Sequence, residues 1–124
     1  MKTLFDTSIL IEHLRGDARA TSLLQSVPGE ERLVSVLTRV EIEGGMRSGE
    51  RSQVASLLGV LRLLPVTDAV ARRAGEHLRR YRRSHPGIDL VDHVIAATAE
   101  LHEAALATLN VRHFPMLAGL RPPY

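Results

Sequence analysis

Apolar positions along the chain recur at two spacings, and the alternation between them lays out the elements. Lys2 to Phe5 is a short, largely apolar run ending at Asp6, which predicts a buried strand. Ile9, Leu10, Ile11 and Leu14 then recur at helical spacing, with Ser8 placed to cap a helix through Leu14. Gly16 and Asp17 break that pattern, and a second short helix is expected over Ala18 to Ser26, before the turn at Pro28 and Gly29. Arg32 to Val36 predicts a second strand, followed by a helix from about Thr38 to Arg47 that Ser48 and Gly49 end. Val54, Leu57, Leu58 and Leu61 give another helix, running through about Leu61. Leu63 to Val66 reads as a third strand, and its Pro65 marks it as short or at an edge. Asp68 is expected to cap a long helix reaching about Ser84, closed by Pro86 and Gly87. Leu90 to Glu103 is helical, with Leu90, Val94, Ala97 and Leu101 along one stripe, and Ala105 to Leu109 fits a fourth strand. An irregular tail containing prolines follows Asn110.

Short strands thus alternate with helices from end to end. That order predicts an α/β fold: a short central parallel sheet, joined by right-handed crossovers and flanked by helices on both faces. With no repeat, low-complexity tract or linker, residues 1–124 read as one domain. Hydrophobic residues make up 44% and charged residues 24%, which is globular composition, but only 3% is aromatic. The core must therefore be built from Leu, Val, Ile and Ala. No apolar run approaches the roughly 18 residues of a membrane span. Asp6 also interrupts the N-terminal segment too early for a cleavable signal. Absence of cysteine removes disulfides, a thiolate nucleophile and zinc–thiolate chemistry, and agrees with a cytoplasmic location. The net charge of +2 says little about partners. Lys2 is the single lysine; the planar guanidinium of the many arginines suits phosphate, although genomic base composition is the better account of the bias.

Ligands of a parallel sheet collect beyond the C-terminal ends of its strands. Asp6 falls at the end of the first strand, Glu41 in the first turn of the helix after the second, and Asn110 beyond the fourth. Asp89 and Asp92 open the helix that leads into the fourth strand, and their spacing places both on one face. Each acid has a plain explanation when taken singly. Asp6 suits a turn, Thr38 with Glu41 fits a capping box, and Asp89 can cap a helix whose dipole favours Asp92. Capping alone does not require all of them at one end of one sheet. Clustered carboxylates repel unless a cation compensates them, and oxygen ligands of this kind suit Mg²⁺ or Mn²⁺.

The same residues resemble the PIN-domain family. Asp6-Thr7-Ser8 after an apolar strand is similar to its opening motif, and the segment from Ser35 to Glu41 to its second. Asp92-His93-Val94-Ile95-Ala96-Ala97-Thr98-Ala99 resembles the third motif, the most specific of the set, and the segment from Thr108 to Phe114 resembles the fourth. The match runs through essentially the whole chain and is closest to the VapC-like toxins of bacterial toxin–antitoxin pairs.

The resemblance implies a Mg²⁺- or Mn²⁺-dependent endoribonuclease in which Asp6 and Asp92 hold the metal and Glu41 assists. Ser8 and Thr108 would support that site. It further implies an RNA substrate, a cognate antitoxin and a homodimer. One departure stands out: members commonly carry a fourth acid where this chain has Asn110, which puts a second cation in doubt unless Asp89 supplies the charge. Arg112 is expected to pair with an acid of the site or with substrate phosphate. His77, His85, His93, His102 and His113 lack a metal-ligand spacing and read as surface or core residues, with His93 the nearest to the acids. Arg72, Arg73, Arg79, Arg80, Arg82 and Arg83 crowd one helix, as an RNA-backbone track or as a solvated face partly neutralised by Glu76, and the scarcity of aromatics argues against a stacking platform for single strands. Two alternatives remain from the residues alone. A catalytically weak RNA- or protein-binding module would explain Asn110. A phosphatase with Asp6 as nucleophile is disfavoured by Ser8, where such enzymes place a second Asp, and by the lack of a suitably placed lysine.

Overall fold

The computed structural model describes residues 1–124. Four strands form the centre: β1 (Thr3–Phe5), β2 (Arg32–Ser35), β3 (Arg62–Leu64) and β4 (Ala105–Ala107). They are all parallel, in the order β3-β2-β1-β4, with Leu4 opposite both Leu33 and Leu106. Six helices surround them: α1 (Thr7–Leu14), α2 (Ala18–Ser26), α3 (Val36–Gly45), α4 (Arg51–Gly59), α5 (Asp68–Tyr81) and α6 (Leu90–Leu101). No helix is long and apolar enough to cross a membrane.

Strand side chains alternate between the two faces of a sheet, and that alternation divides the core. Phe5, Val34 and Ala107 face one way and pack with Ile9 and Leu10 of α1, Leu24 of α2, Ile42 of α3 and Val54, Leu57 and Leu58 of α4. Leu4, Leu33, Leu64 and Leu106 face the other way, onto Ile95, Ala96 and Ala99 of α6 and Phe114 of the tail. Each fully buried Leu or Phe here contributes on the order of 2 kcal/mol. Behind α6, Val70 and Ala74 of α5 meet Val94 and Ala97, so α6 is covered on both sides. Its short side chains are what permit this, and seven of its residues are buried.

Several boundaries differ from the sequence expectation for identifiable reasons. α3 starts at Val36, because Ser35 caps it by accepting the Leu37 N–H at 3.1 Å. Thr38 is fully buried inside the helix with its hydroxyl unpartnered, so it forms no capping box with Glu41. Glu41 consequently lies in the second turn rather than the first. Thr67, not Asp68, caps α5; Asp68 instead pairs with Arg72 at 3.0 Å. β3 stops before Pro65 and occupies a sheet edge, and α5 ends at Tyr81, short of Ser84. β4 ends at Ala107, leaving Thr108 and Leu109 free of the ladder. Gly16 follows α1 with φ of 89°, a backbone state that glycine reaches without strain.

Candidate active site

A cleft of about 440 Å³ opens at the C-terminal edge of the sheet, lined by Asp6, Glu12, Glu41, Asp89 and Asp92 together with Ser8, Asn110 and His113. The positions converge because β1, β2 and β4 run parallel and end at one edge, while α6 begins there.

Asp6 is buried and occupies the N-cap position of α1, yet its side chain makes no capping bond. Its backbone carbonyl accepts the Ile9 and Leu10 N–H groups instead. The carboxylate is therefore free to turn toward the sheet edge, and two hydroxyls hold it. Thr108 donates to Oδ2 at 2.8 Å and Ser8 donates to the same oxygen at 3.0 Å. Each hydroxyl is itself oriented by a backbone donor: Asn110 N–H to Thr108 at 3.0 Å, and Leu109 N–H to Ser8 at 3.0 Å. With an N–H filling its acceptor side, each hydroxyl proton is directed onto Asp6. Oδ1 is left without a protein hydrogen bond.

Glu41 is exposed, and Thr7 donates to its Oε1 at 2.6 Å, fastening α3 to α1 across the cleft. Asp92 has only 15% of its side chain exposed, and its Oδ2 meets His113 Nδ1 at 3.1 Å. Burial pushes the Asp92 carboxyl up from 3.8 to about 6. Negative charge on Asp89 adds to this, His113 opposes it, and Asp6 and Glu41 contribute further in the raising direction. Asp89 caps α6, accepting the Asp92 N–H at 3.1 Å, so it serves as a cap and lines the cleft as well. Asn110 lines the same cleft.

One expectation needs correction, and for His93 the structure decides between surface and core. Arg112 is exposed, has no ion-pair partner and does not line the cleft. The chain after Asn110 forms a 3-10 turn over Val111–His113. Successive side chains of such a turn diverge by about 120°, so His113 takes the position by Asp92 that Arg112 was expected to fill. His93 does not approach the acids either. One step along α6 from Asp92, it points into the core, fully buried with neither ring nitrogen partnered, and burial followed by His77 lowers its pKa. The sequence reading also missed Thr7, Glu12, Arg15 and His113 as cleft residues. Only Thr7 and His113 carried a signal, because both stand inside motifs already singled out.

The donors present are carboxylate, hydroxyl and amide oxygens, which is the ligand chemistry of Mg²⁺ or Mn²⁺ rather than of a soft metal. No three acidic or histidine side chains converge into a ready-made coordination shell. Each acid is engaged by a neighbour: Asp6 by hydroxyls, Glu41 by Thr7, Asp92 by His113 and Asp89 by a helix end. A cation binding here would add ligands from side chains that the fold already gathers.

Comparison with known proteins follows the same lines. The PIN domain profile matches residues 3–119. Ribonuclease VapC10 of Mycobacterium tuberculosis (strain ATCC 25618 / H37Rv) is 49% identical over 122 residues, covering 98% of this chain and 92% of that protein. Ribonuclease VapC19 of the same organism is 46% identical over 123 residues and covers 98% of each. Among solved structures, a toxin–antitoxin complex from Klebsiella pneumoniae superposes with a TM-score of 0.83 at 28% identity, covering 98% of both chains. A profile match over nearly the whole length, and relatives close to half identical end to end, leave one assignment: the chain belongs to the PIN-domain family.

Proposed function

We infer that this chain is an endoribonuclease that uses Mg²⁺ or Mn²⁺ to hydrolyse RNA phosphodiester bonds with water as nucleophile, and that it is the toxin of a toxin–antitoxin pair. The ribonuclease relatives and the toxin–antitoxin neighbour support the activity class. The observation that carries the site is the meeting of Asp6, Glu41 and Asp92, from three distant segments, in one cleft.

Asp6 and Asp92 would hold the cation, Asp6 through the oxygen that Ser8 and Thr108 leave free. When bound, the cation supplies Lewis acidity, lowering the pKa of water and polarising the phosphate. Glu41, exposed at the cleft wall, orients the attacking water and accepts its proton. Ser8 and Thr108 fix the angle of Asp6 so that it need not reorganise during reaction. His113 holds Asp92 in place through the contact of its Nδ1 with Oδ2. Asp89 supplies outer negative charge, which Asn110 does not.

The antitoxin occupies the surface around α1 and α2 and sends a cationic side chain toward the acids. Ile9 and Leu10 are consumed by the core, so the apolar part of that surface is Ile11, Leu14 and Met46, over the buried Ile42 and Val54, continuous with the cleft through Glu41. The protein acts in the cytoplasm as a homodimer, a state that light scattering measures directly.

Purified protein with Mg²⁺ or Mn²⁺ is expected to cleave RNA, and EDTA to stop it. Asp6→Asn, Glu41→Gln and Asp92→Asn should each lower the rate by orders of magnitude while the fold persists. Expression without antitoxin should slow growth, and the Asp6→Asn variant should not. Undiminished cleavage by Asp92→Asn, or in EDTA, excludes this mechanism.

A further inference from the structure

The arginines of α5 separate into two groups. Arg72 pairs with Asp68 at 3.0 Å, and Arg73 pairs with Glu76 at 2.8 Å and with Glu100 at 3.0 Å. Arg79, Arg80, Arg82 and Arg83, by contrast, are all exposed and none has a carboxylate partner. Two cations near a helix C-terminus suffice to complement its dipole. Four within five residues repel one another, and an unpaired cluster of that kind calls for an external anion.

Its place in the fold is specific. Pairing of Arg73 and His77 with Glu100, and packing of Val70 and Ala74 on Val94 and Ala97, hold α5 against α6, and only eight residues, 82–89, separate the end of one from the start of the other. The C-terminal end of α5 therefore lies beside the N-terminal end of α6, which carries Asp89 and Asp92. Two backbone turns keep the linker folded between them: His85 N–H to Tyr81 O at 2.7 Å, and Ile88 N–H to His85 O at 3.2 Å. Aromatic residues are scarce in this chain, and Phe5 and Phe114 are buried. Tyr81 nevertheless sits in the middle of the cluster. The Arg80 guanidinium lies 4–6 Å above aromatic ring planes of this kind when it stacks, and here it is 5.4 Å from the Tyr81 ring centre. His85 meets the same ring edge-on at 5.5 Å. Cations interleaved with rings form a surface for single-stranded nucleic acid, phosphates on the arginines and a base on the rings.

We propose that Arg79, Arg80, Arg82 and Arg83, with Tyr81 and His85, form a binding surface for single-stranded RNA flanking the bond to be cut. This rests on the ribonuclease reading. A cleft lined by five carboxylates repels a polyanion, and the bound cation offsets only part of that charge. Arg15, the one arginine lining the cleft, pairs with Glu12 at 3.5 Å, so further attraction on the strand has to come from outside, and the end of α5 carries four unpaired arginines on the chain segment that leads into the cleft. The surface sets how firmly a long strand is held, not the chemistry on the scissile phosphate.

Binding is measured in EDTA, so that no cleavage is needed, with a fluorescent single-stranded oligoribonucleotide of about 15 nucleotides over a range of salt. Arg82→Ala/Arg83→Ala should reduce the slope of log affinity against log salt by about 1.4 and weaken binding near 0.1 M salt roughly 20-fold. Arg82→Lys/Arg83→Lys should restore the slope, because it restores the charge. Tyr81→Leu should weaken binding about tenfold with the slope unchanged, and Tyr81→Phe should behave as the parent. In cleavage assays the alanine pair should raise KM for a long RNA and leave kcat unaltered. An unchanged slope and affinity in a folded alanine pair overturns the proposal, as does a loss that lysine does not rescue. A parent protein that binds RNA with the expected slope but cleaves none would instead remove the ribonuclease reading and leave this surface standing.

Discussion

Replacing Asp92 by Asn should make the metal-free protein more stable while destroying its response to the metal. Asp92 is mostly buried, and burial with the charge on Asp89 raises its carboxyl from 3.8 to about 6. Since the folded state binds this proton more tightly than the unfolded chain does, folding takes up a proton between those two values. The stability that this proton lends is complete below 3.8 and is lost as pH rises through about 6. At 1.36 kcal/mol for each tenfold change in proton affinity, the full loss by neutral pH is about 3 kcal/mol. Partial exposure and the favourable helix dipole reduce it to about 1–2 kcal/mol. Asn is nearly isosteric and uncharged, so it escapes the penalty and can still accept from His113 through its carbonyl oxygen. For a chain of this length, a gain of 1–2 kcal/mol moves the melting temperature up by about 3–8 °C. The assay is thermal unfolding followed by circular dichroism in EDTA, near pH 8 and near pH 4, then with Mg²⁺ added. The Asn variant should melt higher than the parent near pH 8 and match it near pH 4. Saturating Mg²⁺ at about 100 times its Kd should stabilise the parent by about 2.7 kcal/mol and leave the variant unmoved. A variant that melts lower than the parent in EDTA near pH 8 would refute the reasoning, since Asp92 would then be a net stabiliser through His113.

Thr108→Val keeps the shape of the side chain but removes the donor to the buried Asp6 and the acceptor for Asn110 N–H. It should destabilise the fold by about 1–3 kcal/mol, measured by urea unfolding, and lower kcat more than it raises KM. Asp89 both caps α6 and adds charge to the cleft. Asn caps about as well as Asp, so Asp89→Asn should leave the melting temperature almost unchanged but weaken Mn²⁺ binding in calorimetry, less than Asp92→Asn does. Asn110→Asp in that background should recover part of the lost affinity, and unchanged Mn²⁺ affinity in Asp89→Asn would reduce Asp89 to a cap.

How much of this was legible in the chain itself can be seen element by element. Apolar spacing set the order of strands and helices, because burial imposes a period of two on strands and of 3.6 on helices. The strand-helix alternation implied the parallel sheet, and in a parallel sheet residues at the ends of strands share one edge. Asp6, Glu41, Asp89, Asp92 and Asn110 could therefore be assigned to one region from sequence, and the cleft does include them. What sequence could not supply is the direction of each side chain and the identity of its partner. Whether Asp6 caps a helix or faces the cleft depends on Thr108, 102 residues away, donating to its carboxylate. Whether Arg112 or His113 meets Asp92 depends on a 3-10 turn that no local pattern announces. Ser35 displaced Thr38 as a cap because burial of Thr38 in the packed helix outweighed its local preference. Among the α5 arginines, the pairs of Arg72 with Asp68 and of Arg73 with Glu76 lie at helical spacing within the segment, whereas the pair of Arg73 with Glu100 needs the neighbouring helix. Periodicity is a property of short segments, whereas hydrogen bonds and ion pairs join segments that only the folded chain brings together.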